Sequence, residues 1–176
     1  VAIGTGHFMR CLTLANALQQ QHARVRFISR HLPEYLRNML EAMGHEFFLL
    51  ASTQGDMSPG ELAHAHWLGV SQLQDAADSI RALSDSTWDW LIVDHYALDL
   101  RWETMLRQTA RRILAIDDLA DRQHDCDLLL DQNLYADMDA RYIGKVLPRS
   151  RLLLGPGYAL LRDEFRQLHE QIRPRN

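Results

Sequence analysis

Apolar residues at Phe8, Cys11, Leu12, Ala15 and Leu18 recur at the three- and four-residue spacing of one helix face, so the chain is read as entering a helix almost at once. The next apolar stretch, 24–29, has the composition of a strand. Leu36, Met39, Leu40 and Met43 then make a helical stripe that stops at Gly44. A second strand is predicted at 45–50 and a polar loop over 51–66, followed by a helix marked by Val70, Leu73, Ala77 and Ile80. The segment 88–94 is the strongest strand, apolar on both faces towards its end, as expected of a central parallel strand. Leu98, Trp102, Met105 and Leu106 mark a further helix. Strands follow at 112–116, 128–130 and 151–154, and a last helix is predicted over 160–170. Strands alternating with helices imply an α/β fold: a Rossmann-like parallel sheet with helices on both faces.

Composition narrows the class without changing that picture. With 176 residues, 47% hydrophobic and 24% charged, the chain can bury the core of one soluble domain. A net charge of −4 with no basic stripe argues against a nucleic-acid partner. No apolar run approaches the ~20 residues of a membrane span. Cys11 and Cys126 lie far apart with no C-x-x-C, the usage of reduced thiols in a cytoplasmic protein. The chain opens on Val1, and a strand before the first helix is reduced at most to 1–3, so a truncated first strand is expected. Residues 1–170 read as one domain and 171–176 as the start of a linker.

The candidate chemistry begins at Gly4-Thr5-Gly6-His7-Phe8-Met9-Arg10. Two glycines let backbone approach a ligand, and His7 falls in the first turn of the helix, where unpaired N–H groups and the positive dipole end face the loop. That setting favours the neutral imidazole a general base needs. Arg10 lies one turn on, roughly on the same side. The loop has neither the third glycine of a dinucleotide fingerprint nor the Gly-Lys-Ser/Thr of a P-loop. Taken alone, it is also the kind of turn that many α/β proteins use with no chemistry attached. In parallel sheets, ligands bind at the carboxyl ends of strands, and polar clusters recur there: Asp94-His95-Tyr96, Asp117-Asp118 and Asp131-Gln132-Asn133. Their repetition after successive strands points to a polar-ligand site.

Other constellations carry less. His64 and His66 lack a third ligand at a suitable spacing. Asp125-Cys126-Asp127 has the form of a metal-binding Asp-x-Asp but precedes a strand. The run Asp117, Asp118, Asp121, Asp125 is read as solvated or capping. No Gly-x-Ser-x-Gly is present. Neither a metal nor a cofactor is called for.

The opening motif Gly4-Thr-Gly-His7-x-x-Arg10-Cys-x-x-Leu-Ala15 resembles that of the UDP-sugar hydrolases of pseudaminic acid biosynthesis, the UDP-2,4-diacetamido-2,4,6-trideoxy-β-L-altropyranose hydrolases, and of related spore-coat polysaccharide proteins. The resemblance continues through Ile92-Val-Asp94-His-Tyr96 with Trp102-Glu103, and through Ile116-Asp-Asp-Leu-Ala-Asp-Arg122-x-His-x-Cys-Asp127. It extends to Leu129-Leu-Asp-Gln-Asn133 and Leu154-Gly-Pro-x-Tyr-Ala-Leu-Leu-Arg162-x-Glu-Phe165. It implies the N-terminal half of a glycosyltransferase-B type fold, with the sugar in an interdomain cleft and UDP held by a C-terminal domain absent from this chain. It implies metal-free attack of water at the anomeric carbon with inversion. His7 is then the base, and Gly4, Gly6, Arg10, Asp94, His95 and Tyr96 bind substrate. The family's Arg-x-Asp segment before the glycine loop is missing here. A glycosyltransferase of the same fold, or a non-catalytic sugar-nucleotide-binding domain, remain the alternatives.

Overall fold

The computed structural model describes residues 5–51, 62–162 and 164–165. The expected strand at 1–3, Gly4, most of the predicted 51–66 loop and nearly all of the far half of the predicted 160–170 helix lie outside them. Helix α1 (Thr5–Gln20) leads into strand β1 (Arg26–Ser29), helix α2 (Glu34–Ala42) and strand β2 (Glu46–Leu49). Gly44 ends α2 with φ +76°, a conformation costly for any residue with a Cβ, and the His45 N–H reaches back to the Leu40 carbonyl at 3.0 Å. After a 3-10 turn at Ala65–Trp67 come α3 (Gln72–Leu83), β3 (Trp88–Val93), α4 (Leu100–Leu106) and β4 (Ala110–Ile116). The chain continues through β5 (Leu128–Asp131), a short α5 (Met138–Arg141) that the hydrophobic pattern does not announce, and β6 (Arg151–Leu154). Leu160–Arg162 carry no regular structure. No helix among the described residues is long and apolar enough to cross a membrane.

All described strand pairings are parallel, which makes this a Rossmann-like α/β architecture. They fall into a two-stranded piece, β1-β2, and a four-stranded sheet in the order β3-β4-β5-β6. Among the described residues strand β3 stands at one end of the four-stranded sheet. Its described partner is β4 alone, and Asp89 and Trp90 are exposed.

The period-2 alternation of strands sorts the core into two layers. On one face Ile113, Ala115 and Leu129 pack with Val93 under Leu83 of α3 and Trp102 and Leu106 of α4. On the other, Leu114, Ile116 and Leu130 meet Cys11 and Leu14 of α1. The opposite side of α1, Phe8 and Leu12, packs with Leu36 and Leu40 of α2 over Phe27 and Phe47 of the two-stranded piece. One helix is thus shared by both pieces.

A second tie between the pieces is ionic. Arg30, just past β1, is buried and donates from Nε and Nη2 to Asp75 (3.2 and 3.0 Å) and from Nη2 to Asp78 (2.8 Å), both on α3, and from Nη1 to the Ala51 carbonyl. Trp102 Nε1 of α4 donates to the other Asp75 oxygen at 3.0 Å. Burial pushes the Asp75 carboxyl above its usual range, with Arg30 opposing; the buried Asp78, also bonded by Gln74 and Arg81, is held below it by these partners. This clasp decides which side of α3 faces inward. The sequence stripe pointed to Leu73, yet Leu73 is 67% exposed, while Asp75, Ala76, Asp78, Ser79, Ala82 and Leu83 are buried. The apolar pattern misreads the face because two of its inward positions are aspartates paired with a distant arginine. Replacing Arg30 with Met leaves those carboxylates uncompensated, and a loss of about 3–5 kcal/mol is expected. Denaturant unfolding checks it: a midpoint unchanged from wild type would remove the clasp from the account of stability.

Candidate active site

Because the strands are parallel, their carboxyl ends share one edge, and the polar clusters collect there. His7 sits in the first turn of α1 and Arg10 three residues on, hence on the same side. Both reach Asp94, the residue after β3, whose side chain is 3% exposed. Nδ1 of His7 lies 2.6 Å from Oδ1 of Asp94. Arg10 grips the same carboxylate as a fork, Nη2 to Oδ1 and Nε to Oδ2, both at 2.6 Å. The Cys11 thiol donates to Oδ2 at 3.4 Å. Burial alone would raise the Asp94 carboxyl, but the bonds from Arg10 and His7 outweigh it and hold Asp94 below the usual carboxylate range. Burial and the Asp94 charge push the Cys11 thiol well up, so it is no nucleophile.

An ionised Asp94 only accepts, so the proton in the 2.6 Å contact belongs to His7 Nδ1. Arg10 Nη2, 3.1 Å from Nδ1, is then a second donor beside it, directed to the same oxygen. In the neutral ring Nε2 is then the lone-pair acceptor, and it has no hydrogen-bond partner among the described residues. This is the arrangement of a general base whose far nitrogen is fixed by a carboxylate. The dipole that the sequence placed behind His7 is joined by a charge it could not place.

Tyr96 stands edge-on to His7, ring centroids 4.7 Å apart. Its hydroxyl donates to Asp118 Oδ1 at 2.6 Å, and burial together with that bond raises the phenol, which stays protonated. Asp118 Oδ2 lies 3.5 Å from Arg10 Nη1 and 3.4 Å from Asn133 Nδ2. The structure therefore links His7, Arg10, Asp94 and Tyr96 directly and ties in the clusters after β4 and β5 through Asp118. His95 is placed differently: its Nδ1 accepts the Ala97 N–H at 3.0 Å, and burial lowers it to about 4, so it is a neutral turn-forming side chain. Gly6 lies within α1, and a Cβ there would meet nothing within 4 Å, leaving that side of the first turn open. Gly4 is outside the described residues.

Two cavities flank the first turns of α1. A cavity of about 750 Å³ is walled by His7, by the apolar Phe8, Phe27, Leu36 and Phe47, and by Arg37. A smaller one of about 270 Å³ touches Gly6, Arg10 and Gln132 on the other side. His64 and Trp67, outside the sequence-derived site, approach it too. The His64 ring is 4.6 Å from Trp67 and 5.5 Å from Tyr96, and Trp67 is 5.8 Å from Tyr96. His66 meets Trp67 edge-on instead. Among the described residues no three His, Cys, Asp or Glu side chains are grouped so as to hold a metal ion. Both carboxylates of Asp125-x-Asp127 bind Arg107, at 2.8 and 2.6 Å.

Behind Asp118 lies a buried charge network. Asp117 turns inward where Asp118 turns to the site, the alternation expected of neighbours at a strand end. Arg122 Nη1 is 2.8 Å from Asp117 Oδ1, and the Tyr142 hydroxyl bridges Asp117 and Asp131 at 3.2 and 3.0 Å. His124 donates from Nδ1 to Glu103 at 2.7 Å, with Nε2 3.8 Å from Asp117. Burial opposes a charge on His124, but Asp117 and Glu103 overcome it and raise the group to about 9. A pKa raised from 6.5 contributes stability that is complete below about 6.5 and is lost as pH rises through about 9. Thermal unfolding across that range is expected to show a falling Tm, and His124→Gln to flatten the fall. An equally steep fall in the variant would assign it to another group.

The chain is similar to the UDP-2,4-diacetamido-2,4,6-trideoxy-beta-L-altropyranose hydrolase of Campylobacter jejuni subsp. jejuni serotype O:2, 35% identical over 89 residues. The matched stretch covers 50% of this chain and 32% of that protein's length. No model of a known protein family matches the chain. The resemblance read from the ordered motifs is thus met by a curated relative of the same description.

Proposed function

We propose that this chain supplies the base and the sugar-side half of a UDP-sugar hydrolase acting on a UDP-linked 2,4-diacetamido-2,4,6-trideoxy sugar in pseudaminic acid biosynthesis. The observation that carries the reading is the His7–Asp94 pair, with Nδ1 committed to a carboxylate and Nε2 unpartnered beside a cavity of mixed polar and apolar walls. Similarity to the named hydrolase supplies the substrate class. Nε2 of His7 takes a proton from water as the water oxygen bonds to the anomeric carbon. The bond from that carbon to the β-phosphate oxygen breaks, UDP leaves with the electron pair, and the sugar is released with inverted configuration. Asp94 stabilises the imidazolium formed, and Arg10 keeps Asp94 ionised. Arg10 and Tyr96 hold the reacting end of the substrate. A separate C-terminal domain grips the nucleotide. The reaction is cytoplasmic, where nucleotide sugars are made.

In the full-length protein, His7→Asn should lower kcat by ~10²–10⁴ with little change in KM, the usual share of a general base. Turnover near wild type would take His7 out of the mechanism. Proton NMR of fresh product should show the inverted anomer first. UDP should be released with no acceptor added, whereas a requirement for an acceptor would select the glycosyltransferase reading.

Charge on the departing UDP is assigned to backbone N–H groups and a helix N-terminus of the nucleotide-binding half, with no cation involved. Full activity in excess EDTA is the expected result. Loss on chelation with recovery in Mg²⁺ or Mn²⁺ would overturn the metal-free scheme.

A further inference from the structure

We propose that Glu103, His124 and Asp117 are positioning residues whose buried network aims Asp118 at Tyr96 and Arg10. The proposal rests on the reading of His7 as the base only for its effect on turnover; the geometry it describes stands apart from that reading.

Asp118 touches both groups flanking His7. Its Oδ1 accepts the Tyr96 hydroxyl at 2.6 Å, and its Oδ2 is 3.5 Å from Arg10 Nη1. Tyr96 in turn packs on the His7 ring, and Arg10 grips Asp94. The direction of Asp118 is set by its backbone. Asp117 accepts the N–H groups of Leu119 (3.4 Å) and Ala120 (2.9 Å), closing a tight turn in which Ala120 is held at φ +52°. The Asp118 carbonyl is fixed from the other side by Tyr135 Oη at 3.1 Å and Arg141 Nη2 at 2.8 Å. The turn is therefore only as well placed as the Asp117 carboxylate.

That carboxylate is fully buried, between Arg122 and His124. His124 is held by Glu103, itself 0% exposed, whose second oxygen takes the Asp125 N–H at 2.6 Å. Arg122 also donates from Nε to the Leu98 carbonyl at 2.8 Å and lies 5.8 Å from the Tyr96 ring. Buried ion pairs are a poor source of stability, since well-packed apolar residues often do as well. Among the described residues His124 Nε2 has no hydrogen-bond partner, its ion pair with Asp117 lying at 3.8 Å. A network that is costly to bury, and whose Asp117 end accepts the N–H groups of a strained turn at the site, sets geometry there beyond whatever stability it contributes.

The test is carbon- and nitrogen-edited NMR of the Tyr96 and His7 rings in the folded protein, with kcat and KM measured alongside. Asp118→Asn should shift the resonances of both rings. His124→Gln should shift them in the same sense, and the double variant should move no further than Asp118→Asn alone. Both single variants should lower kcat by roughly 10–10²-fold, the scale of a small misplacement of reacting groups, at nearly constant KM. A His124→Gln protein with a lower Tm but Tyr96 and His7 resonances at wild-type positions would overturn the proposal, as would additive shifts in the double variant. Should His124→Gln fail to fold, Tyr142→Phe removes the hydroxyl that Asp117 shares with Asp131 and is judged by the same shifts. Wild-type turnover in His7→Asn would sink the hydrolase reading while leaving these ring shifts to decide the positioning role.

Discussion

One carboxylate organises the molecule. Asp94 is buried, yet it accepts from His7, Arg10 and Cys11, three residues on a helix more than eighty positions earlier. An ionised group so far from water is tolerable only if its charge is met and its lone pairs are filled. Helix α1 does both, and in doing so it is fixed in rotation and height against the end of β3. The same contacts that make the helix dock give His7 its tautomer. Docking of the helix end and formation of the site thus share one set of contacts.

The fold was legible where the chain buries apolar groups and obscure where it buries charge. The stripe Phe8, Leu12 and Ala15 correctly oriented α1, because those positions meet a greasy surface. On α3 the same method chose Leu73 and failed, because Asp75 and Asp78 point inward to Arg30. Glu103 lies in a helix face read from Trp102 and Leu106, and nothing in local periodicity says that an acidic residue there is wholly buried. Pairings between residues tens of positions apart leave no local trace. The neighbours of 88–94 are a separate matter: an apolar run reports burial and leaves the neighbours of a strand unstated, and among the described residues β4 is the one that pairs with it.

The candidate site was legible in outline for a related reason. Polar residues after successive parallel strands must share an edge, so the clusters at 94–96, 117–118 and 131–133 could be assembled with no knowledge of contacts. The partition within each cluster could not. Asp117 and Asp118 look alike on paper, but one is a buried anchor and the other reaches Tyr96. His95 and Tyr96 divide similarly between turn and site. His64 arrives from a segment whose polarity read as a plain loop, and Trp67 from just beyond it.

The double attachment of α1 has a consequence for how its sequence can vary. His7, Arg10 and Cys11 answer to Asp94, Phe8 and Leu12 to the two-stranded piece, and Leu14 to the four-stranded sheet. Asn16 is taken as well, accepting from His45 at 2.7 Å. Beyond its first turn, only Ala17, Gln19 and Gln20 are exposed to water. Substitutions accumulating neutrally along this helix are therefore confined to its last turn, and a designer seeking new chemistry at position 7 would have to rebuild a helix with almost no silent positions.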